Sequence, residues 1–431
     1  MSKHKSYFYL LIANILVAFA TIIVNALIPR MYSIEHLSNY LLIKRVIMTL
    51  LSLQLVGLNL SIPYYYPKYG DPKIFKDALR LALFITLPAI LLTGSIVLWW
   101  GLLTNEIIGI RQYILYSFTL SLNVFTFSVL RAKKDFKKAS IQHIKNMFIY
   151  PLFSLLVTDT LANSFLILFI LSTIDNIVTL KLLFRTSKNR YSDALKEKSS
   201  YNIWMLVQYG INRFPMFISQ VFLTALPLIY LKQIGDIQRI AVWGAGLTIL
   251  RIVVMFAGPV NTIVLPRFSG MIANDEKYLM KEVWILNMSA LALGPILNGV
   301  FYYWMGPVIQ FWIGIDMIQY SKDISLISTI IPFMLATELI RSTVDSIHKK
   351  GINSYIYMAG VIIAGVLILI FSGDHEIGPS SILYYIMTSY ILLYLFSILY
   401  LQRVLQFTRK YILSILFLFS INLILVSLIV G

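Results

Sequence analysis

The chain has 431 residues, of which 58% are hydrophobic and 13% charged, about half the ~25% charged content of an ordinary soluble domain. Its mean hydropathy is +0.79, and a bilayer core of about 30 Å is crossed by about 20 apolar residues in helix, so this is an integral membrane protein with no room for a soluble catalytic domain. Cysteine is absent, which excludes disulfides, thiolate nucleophiles, cysteine-held zinc and iron-sulfur clusters.

Six apolar runs come first: Tyr7 to Pro29, Tyr40 to Ile62, Leu81 to Trp100, Tyr113 to Leu130, Asn146 to Val157 and Leu161 to Leu180. The N-terminus resembles a secretory signal, with Lys3 and Lys5 ahead of an apolar run and Ala18-Phe19-Ala20 like a cleavage site. The run continues to Pro29, longer than a signal's apolar region, and is read as an uncleaved first helix. The fifth run is short and carries Pro151, which interrupts a helical ladder, so it is expected to run on towards Thr160. A second set spans Tyr201 to Leu231, Ile240 to Pro266, Val283 to Trp304, Ile324 to Ile340, Tyr355 to Phe371 and Ile382 to Leu401, and Tyr411 to Val430 is a thirteenth run.

With the N-terminus inside, 27 of the 36 Lys and Arg fall in cytoplasmic segments. Five fall in outer loops (Arg30, Arg111, Lys232, Arg239, Lys322) and four within spans (Lys44, Arg45, Arg213, Arg251). This asymmetry supports a cytoplasmic N-terminus. Most of the formal charge of +17 is thus topology signal and contact with anionic headgroups. The basic runs are short and lie beside membrane helices, which argues against nucleic acid as a partner.

The halves share a weak repeat. The second and eighth spans end at Pro63 and Pro266, 203 residues apart, each before a basic aromatic stretch, and that offset sets Tyr40 against Trp243 and Glu35 against Gln238. Arg131 and Asp135 recur as Arg341 and Asp345, 210 residues on. Equal sidedness of the copies predicts an all-α polytopic fold: two six-helix bundles related by a pseudo-two-fold along the membrane normal, a central cavity and one additional C-terminal helix. The expected division is a bundle over 1–180, a charged cytoplasmic linker over 181–200, a bundle over 201–402 and the extra helix over 403–431.

Ionisable residues inside spans cost about 2.5 to 3.5 kcal/mol on insertion scales and usually face a cavity or a partner. Arg213 lies about 18 Å and Arg251 about 22 Å from the cytoplasmic ends of their spans, at 1.5 Å per residue. Lys44 and Arg45 stand one turn into the second span from its outer end. With Arg30 these cations form a series from the midplane to the outer face, and arginine's planar fork of donors suits the phosphate oxygens of a polyanionic headgroup. Asp175, in the sixth span, is a candidate charge partner for Arg213 or a carrier of a coupling proton. Glu338, Arg341 and Asp345 read as a salt-bridged helix end. Pro215, Pro227, Gly258 and Pro259 are hinge candidates, because unwound backbone at membrane depth lines a cavity or is covered by protein. The five histidines (His4, His36, His143, His348, His375) show no metal spacing, and Gly244-Ala245-Gly246 lacks the third glycine and strand context of a dinucleotide site. No catalytic residues and no cofactor are expected. Tyr64 to Tyr66 read as part of an interfacial aromatic belt.

The layout resembles the polysaccharide-exporter branch of the multidrug, oligosaccharidyl-lipid and polysaccharide (MOP) flippase superfamily, and is similar to O-antigen (Wzx-type) flippases. The resemblance rests on ALIPRMYSIEHLSNYLLIKRVIMTLLSLQLVGLNLSIPYYYPKY, on its counterpart from YGINRFPMFISQVFLTALPLIY to VLPRFSG, and on the basic VLRAKKDFKKAS. It covers nearly the whole chain through loose motifs, and the family's acidic-glycine turn appears here only as SIEHLSNY. The resemblance implies a transporter of undecaprenyl-diphosphate-linked oligosaccharide, an O-antigen or capsule repeat unit, moved from the inner to the outer leaflet of a bacterial cytoplasmic membrane. It implies a diphosphate held by Arg213 and Arg251 and received by Lys44, Arg45 and Arg30, with the polymerase and chain-length machinery as partners. Three alternatives stand beside it. A cation-coupled multidrug exporter of the same superfamily uses an acidic residue in its first helix, and Tyr7 to Pro29 has none. A lipid II flippase shares the charge pattern. A membrane O-antigen polymerase or glycosyltransferase usually carries a long outer loop, and every outer loop here is short.

Overall fold

The structure, a computed structural model, describes residues 3–69, 71, 73–103, 108–187, 202–255, 276–314, 318–347, 351–372 and 378–430. Among these the regular elements are all helical. Among the described residues nine helices are long and apolar enough to cross a membrane, and two bent helix pairs bring the number to as many as eleven. The chain divides into two compact units, Met1–Phe217 and Ile218–Gly431.

In the first unit, α1 (Lys3–Met31) runs unbroken through Ala18-Phe19-Ala20. Helix α2 (Ile34–Gln54) starts six residues before the expected Tyr40 because Ser33 caps it, its Oγ accepting the His36 backbone N–H at 3.3 Å. The second span is not one rod. It breaks after Gln54, and α3 (Leu58–Tyr69) leaves at 47°. Val56 N–H donates to Leu53 O and Gly57 N–H to Ser52 O, both at 2.9 Å, closing α2 with the paired bonds of a Schellman end. Val56 (φ +48°) and Gly57 (φ +69°) both take the left-handed conformation. For a β-branched residue that costs about 1–2 kcal/mol. Gln54, fully buried, donates to Thr93 Oγ1 at 3.1 Å and accepts from Ser121 Oγ at 3.4 Å, tying the break to α4 (Lys73–Trp99) and α5 (Ile110–Ala132). Helix α4 buries Ala78, Ala82 and Ile90 and exposes Leu83, Phe84, Leu87 and Leu91, the two-faced pattern of a helix between protein and lipid.

The basic stretch after α5 is helical except for a three-residue turn with Lys134 at φ +57°. The Asp135 carboxylate caps α6 (Phe136–Ile144), accepting the Lys138 backbone N–H at 3.3 Å. The fifth span therefore begins ten residues before Asn146, and it ends with α7 (Tyr150–Leu156) instead of continuing to Thr160. Pro151 is accommodated by a π-turn over Lys145–Ile149, in which Tyr150 N–H donates to Lys145 O. The register shift places Pro151 in the first turn of α7, the helical position that best tolerates proline. Helix α8 (Leu161–Ser187) carries on into the expected linker. The expected single seventh span is three helices, α9 (Trp204–Ile211), α10 (Phe214–Thr224) and α11 (Leu226–Gln233), and α10 and α11 meet at 44°. Pro215 and Pro227 each stand in the first turn after a break, the position that tolerates them.

The second unit continues with α12 (Ile237–Met255), α13 (Glu276–Ile313), α14 (Ser321–Thr329), α15 (Ile331–Ile347), α16 (Ile352–Ser372), α17 (Pro379–Leu405) and α18 (Arg409–Val430). Helix α13 is longer than the expected Val283 to Trp304 and keeps Pro295 and Pro307 inside it. The last helix docks on α13, Trp284 stacking on Tyr411 at 4.9 Å and donating to Ser414 Oγ at 2.9 Å. A buried carboxylate anchors α12 to α14: Asp323 Oδ2 accepts from Arg239 Nε and from Trp243 Nε1, each at 2.8 Å. Asp323→Ala strands the Trp243 indole N–H, while Arg239 keeps its ion pair with Asp236 at 2.9 Å, so a loss of about 1 to 3 kcal/mol is expected, read as a lowered Tm in detergent. An unchanged Tm would show that water replaces the carboxylate.

Candidate functional site

The two breaks of the first unit meet. Gly210, near the end of α9, lies so close to the α2–α3 break that a Cβ on it would stand 1.9 Å from the carbonyl oxygen of Val56. Only glycine allows that approach. Helix α9 then unwinds, Asn212 N–H donating to Gln208 O at 3.1 Å and Arg213 N–H to Gly210 O at 2.9 Å, and α10 begins at Phe214.

Arg213 thus sits in the gap between two helices, 5% exposed. Its side chain folds back along α9, with Cζ 3.7 Å from the Tyr209 ring centroid and Nη1 donating to Tyr209 O at 3.3 Å. Among the described residues no carboxylate pairs with it. Around it are aromatic rings: Tyr209 stacks on Tyr64 at 4.8 Å and meets Tyr65 edge-on at 5.6 Å. A buried, always-charged guanidinium without a carboxylate retains the capacity to bind an anion.

The other expected site residues are placed as follows. Lys44 and Arg45 lie ten and eleven residues into α2, about 15 Å along it, deeper than one turn from the outer end. Lys44 is half-buried over the Tyr40 ring at 5.1 Å with Nζ donating to Tyr40 Oη at 3.2 Å, and Arg45 is buried. Arg30 is exposed in the last turn of α1. Arg251 belongs to the second unit, on α12, exposed yet within electrostatic range of Glu338 and Tyr390. Glu338 forms the expected pair with Arg341 at 3.2 Å and accepts from Tyr357 Oη at 3.4 Å. Asp175 is bound to Lys145 at 2.7 Å and not to Arg213. Gly258 and Pro259 lie outside the described residues, as does Pro266.

One polar cluster went unpredicted. Between α5, the π-turn and α8, Ser172 Oγ lies 2.7 Å from Asn123 Oδ1 and 2.5 Å from Asn146 Oδ1, its one proton serving either oxygen, Asn176 donates to Asn123, and Gln142 donates to Asn176 at 3.0 Å. The signal was present as amides and hydroxyls four apart in apolar runs, Gln142 with Asn146 and Ser172 with Asn176. Asn25 of α1 is also buried, with neither amide atom hydrogen-bonded. No group of His, Asp or Glu suited to a metal occurs among the described residues.

These features define a multi-pass, all-helical membrane protein. No protein-family model matches the sequence, and no curated protein matches it. Solved structures do match in fold. The eukaryotic MATE transporter AtDTX14 superposes with a TM-score of 0.60 at 12% identity, over 97% of this chain and 98% of that one. A multidrug resistance MATE family transporter of the MOP superfamily matches in its inward-facing form (TM-score 0.54, 15% identity, 94% and 95% covered) and its outward-facing form (0.58, 12%, 93% and 96%). The fold is therefore that of MATE transporters of the MOP superfamily, the all-helical two-bundle architecture expected from the sequence.

Proposed function

We propose that the protein is a flippase that carries an undecaprenyl-diphosphate-linked oligosaccharide, an O-antigen or capsule repeat unit, from the cytoplasmic to the outer leaflet of a bacterial inner membrane by alternating access. A fold recorded in inward- and outward-facing forms supports a transport cycle over an enzymatic reaction. The fold serves drug exporters equally, so the substrate class rests on the site. The observation that carries it is Arg213, a buried guanidinium at a helix break with no acidic partner among the described residues. Such a group attracts a phosphate and repels a cationic drug. A second observation agrees: α1 contains no Asp or Glu, the residue through which the resembling exporter branch couples ions. The cations on α2, Lys44 and Arg45, supply further positive charge within the same unit. A polymerase acting on the exported repeat unit is the partner this reading implies.

The test is deletion in the native host followed by mass spectrometry of undecaprenyl-linked glycans. The expected result is accumulation of one intact repeat unit with loss of surface polysaccharide. Unchanged lipid-linked glycans together with new sensitivity to cationic drugs would overturn the reading in favour of an exporter.

A further inference from the structure

The rings beside Arg213 exceed what the arginine uses. Tyr209 lies under the guanidinium and satisfies one cation face. Tyr64 stacks on Tyr209 at 4.8 Å with planes 27° apart, and Tyr65 stands edge-on to Tyr64 at 4.9 Å. Tyr209 is covered by the guanidinium and by Tyr64, and Tyr65 stacks on Tyr69 at 5.9 Å, so the ring surface left over belongs to Tyr64 and Tyr65, both half-buried. The hydroxyls of Tyr64 and Tyr65 have no hydrogen-bond partner among the described residues. On the adjacent row of α9, Gln208 and Asn212 are four residues apart and exposed, two amide side chains flanking Tyr209 and Arg213.

An interfacial belt does not need this arrangement. Belt tyrosines act singly, each with its ring at headgroup level; these are gathered around a buried cation where two helix breaks touch. A pyranose ring has a face of C–H bonds, slightly positive and apolar, and a rim of hydroxyls. The C–H face suits the negative face of an aromatic ring, and the rim suits phenol hydroxyls and amides, which both donate and accept.

We propose that Tyr64 and Tyr65, backed by Tyr209 and with Gln208 and Asn212 beside them, form a saccharide subsite that takes the sugar ring attached directly to the phosphate held by Arg213. This rests on reading Arg213 as the phosphate site. The subsite reads the presence of a sugar face and a hydroxyl rim, while Arg213 reads the charge. One stacked ring contributes about 0.5 to 1.5 kcal/mol beyond its burial, so two give about a tenfold gain in affinity.

The experiment uses the purified full-length protein in detergent and two probes, farnesyl diphosphate and the same lipid carrying one N-acetylglucosamine, with dissociation constants measured by calorimetry. The wild type is expected to bind the glycosylated probe about tenfold more tightly. The double substitution Tyr64→Leu/Tyr65→Leu is expected to abolish that difference while leaving the bare diphosphate within about threefold, and Tyr64→Phe/Tyr65→Phe to retain most of it. Equal binding of both probes by the wild type, or a leucine variant that weakens both probes alike, would overturn the subsite and leave the phosphate reading standing. If neither probe binds, the phosphate reading fails and the subsite with it.

Discussion

Arg213→Ala is expected to abolish surface glycan while the protein remains in the membrane at its normal level. The guanidinium is 5% exposed and its one side-chain hydrogen bond goes to the Tyr209 carbonyl in the preceding turn. Burying a charge without a carboxylate costs stability, so the residue is a poor choice for holding the fold together. Arg213→Met is accordingly expected to be as thermostable as the wild type or more so, yet inactive, the sign of a residue kept for function at the expense of stability. A hydrogen bond from a charged donor is worth about 1.5 to 3 kcal/mol, which sets the loss in substrate affinity at roughly ten- to a hundredfold. Arg213→Lys retains the charge but not the planar fork and is expected to export at an intermediate rate. Arg213→Gln removes the charge while keeping a polar amide, and is expected to be as inactive as the alanine variant. Normal surface glycan in the alanine or glutamine variant, scored beside a membrane immunoblot, would reduce Arg213 to a helix cap and remove the main support for an anionic substrate.

Much of this fold is legible because apolar runs of membrane length declare themselves irrespective of tertiary context, and a described helix falls at each of the thirteen runs. What hydropathy misses is interruption. The α2–α3 break contains no proline, and its Val56 is a residue that resists the left-handed conformation, so the bend is imposed by tertiary contact with Gly210 and by the Gln54 network. The breaks near Pro215 and Pro227 were legible as breaks because proline lacks a donor. At the site, the sequence singles out Arg213 by its cost in lipid but offers Asp175 as its charge partner, whereas the carboxylate pairs with Lys145, since distance along the chain says nothing of which cation stands across the bundle. Lys145, counted among the cytoplasmic cations, proves to be on the π-turn facing α8. The tyrosines read as a belt because composition locates them at a boundary, and only the packing of α3 on α9 shows that they surround the arginine.

Gly210→Ala is expected to lower the Tm and to abolish export, although alanine is the better helix former by about 1 kcal/mol. Added to the native backbone, the methyl carbon would lie 1.9 Å from Val56 O and 2.7 Å from the Val56 carbonyl carbon. Neither atom belongs to a side chain that can rotate away. Either α9 retreats from the α2–α3 break by an ångström or more, or the strained turn at Val56 and Gly57 rearranges. Overpacking of this kind costs about 1 to 3 kcal/mol, and retreat also separates Tyr209 from Tyr64, so Arg213 and the ring wall lose their common frame. Val56→Gly makes the complementary variant: it removes a β-branched residue from φ +48° without touching the contact, and is expected to raise the Tm by relieving about 1 to 2 kcal/mol of backbone strain. If strain at Val56 holds the break in a state the cycle must leave, that stabilised variant will export more slowly than the wild type despite its higher Tm. Unchanged stability and export in Gly210→Ala would show that the two breaks are not mechanically joined, and transport would then have to be explained without their contact.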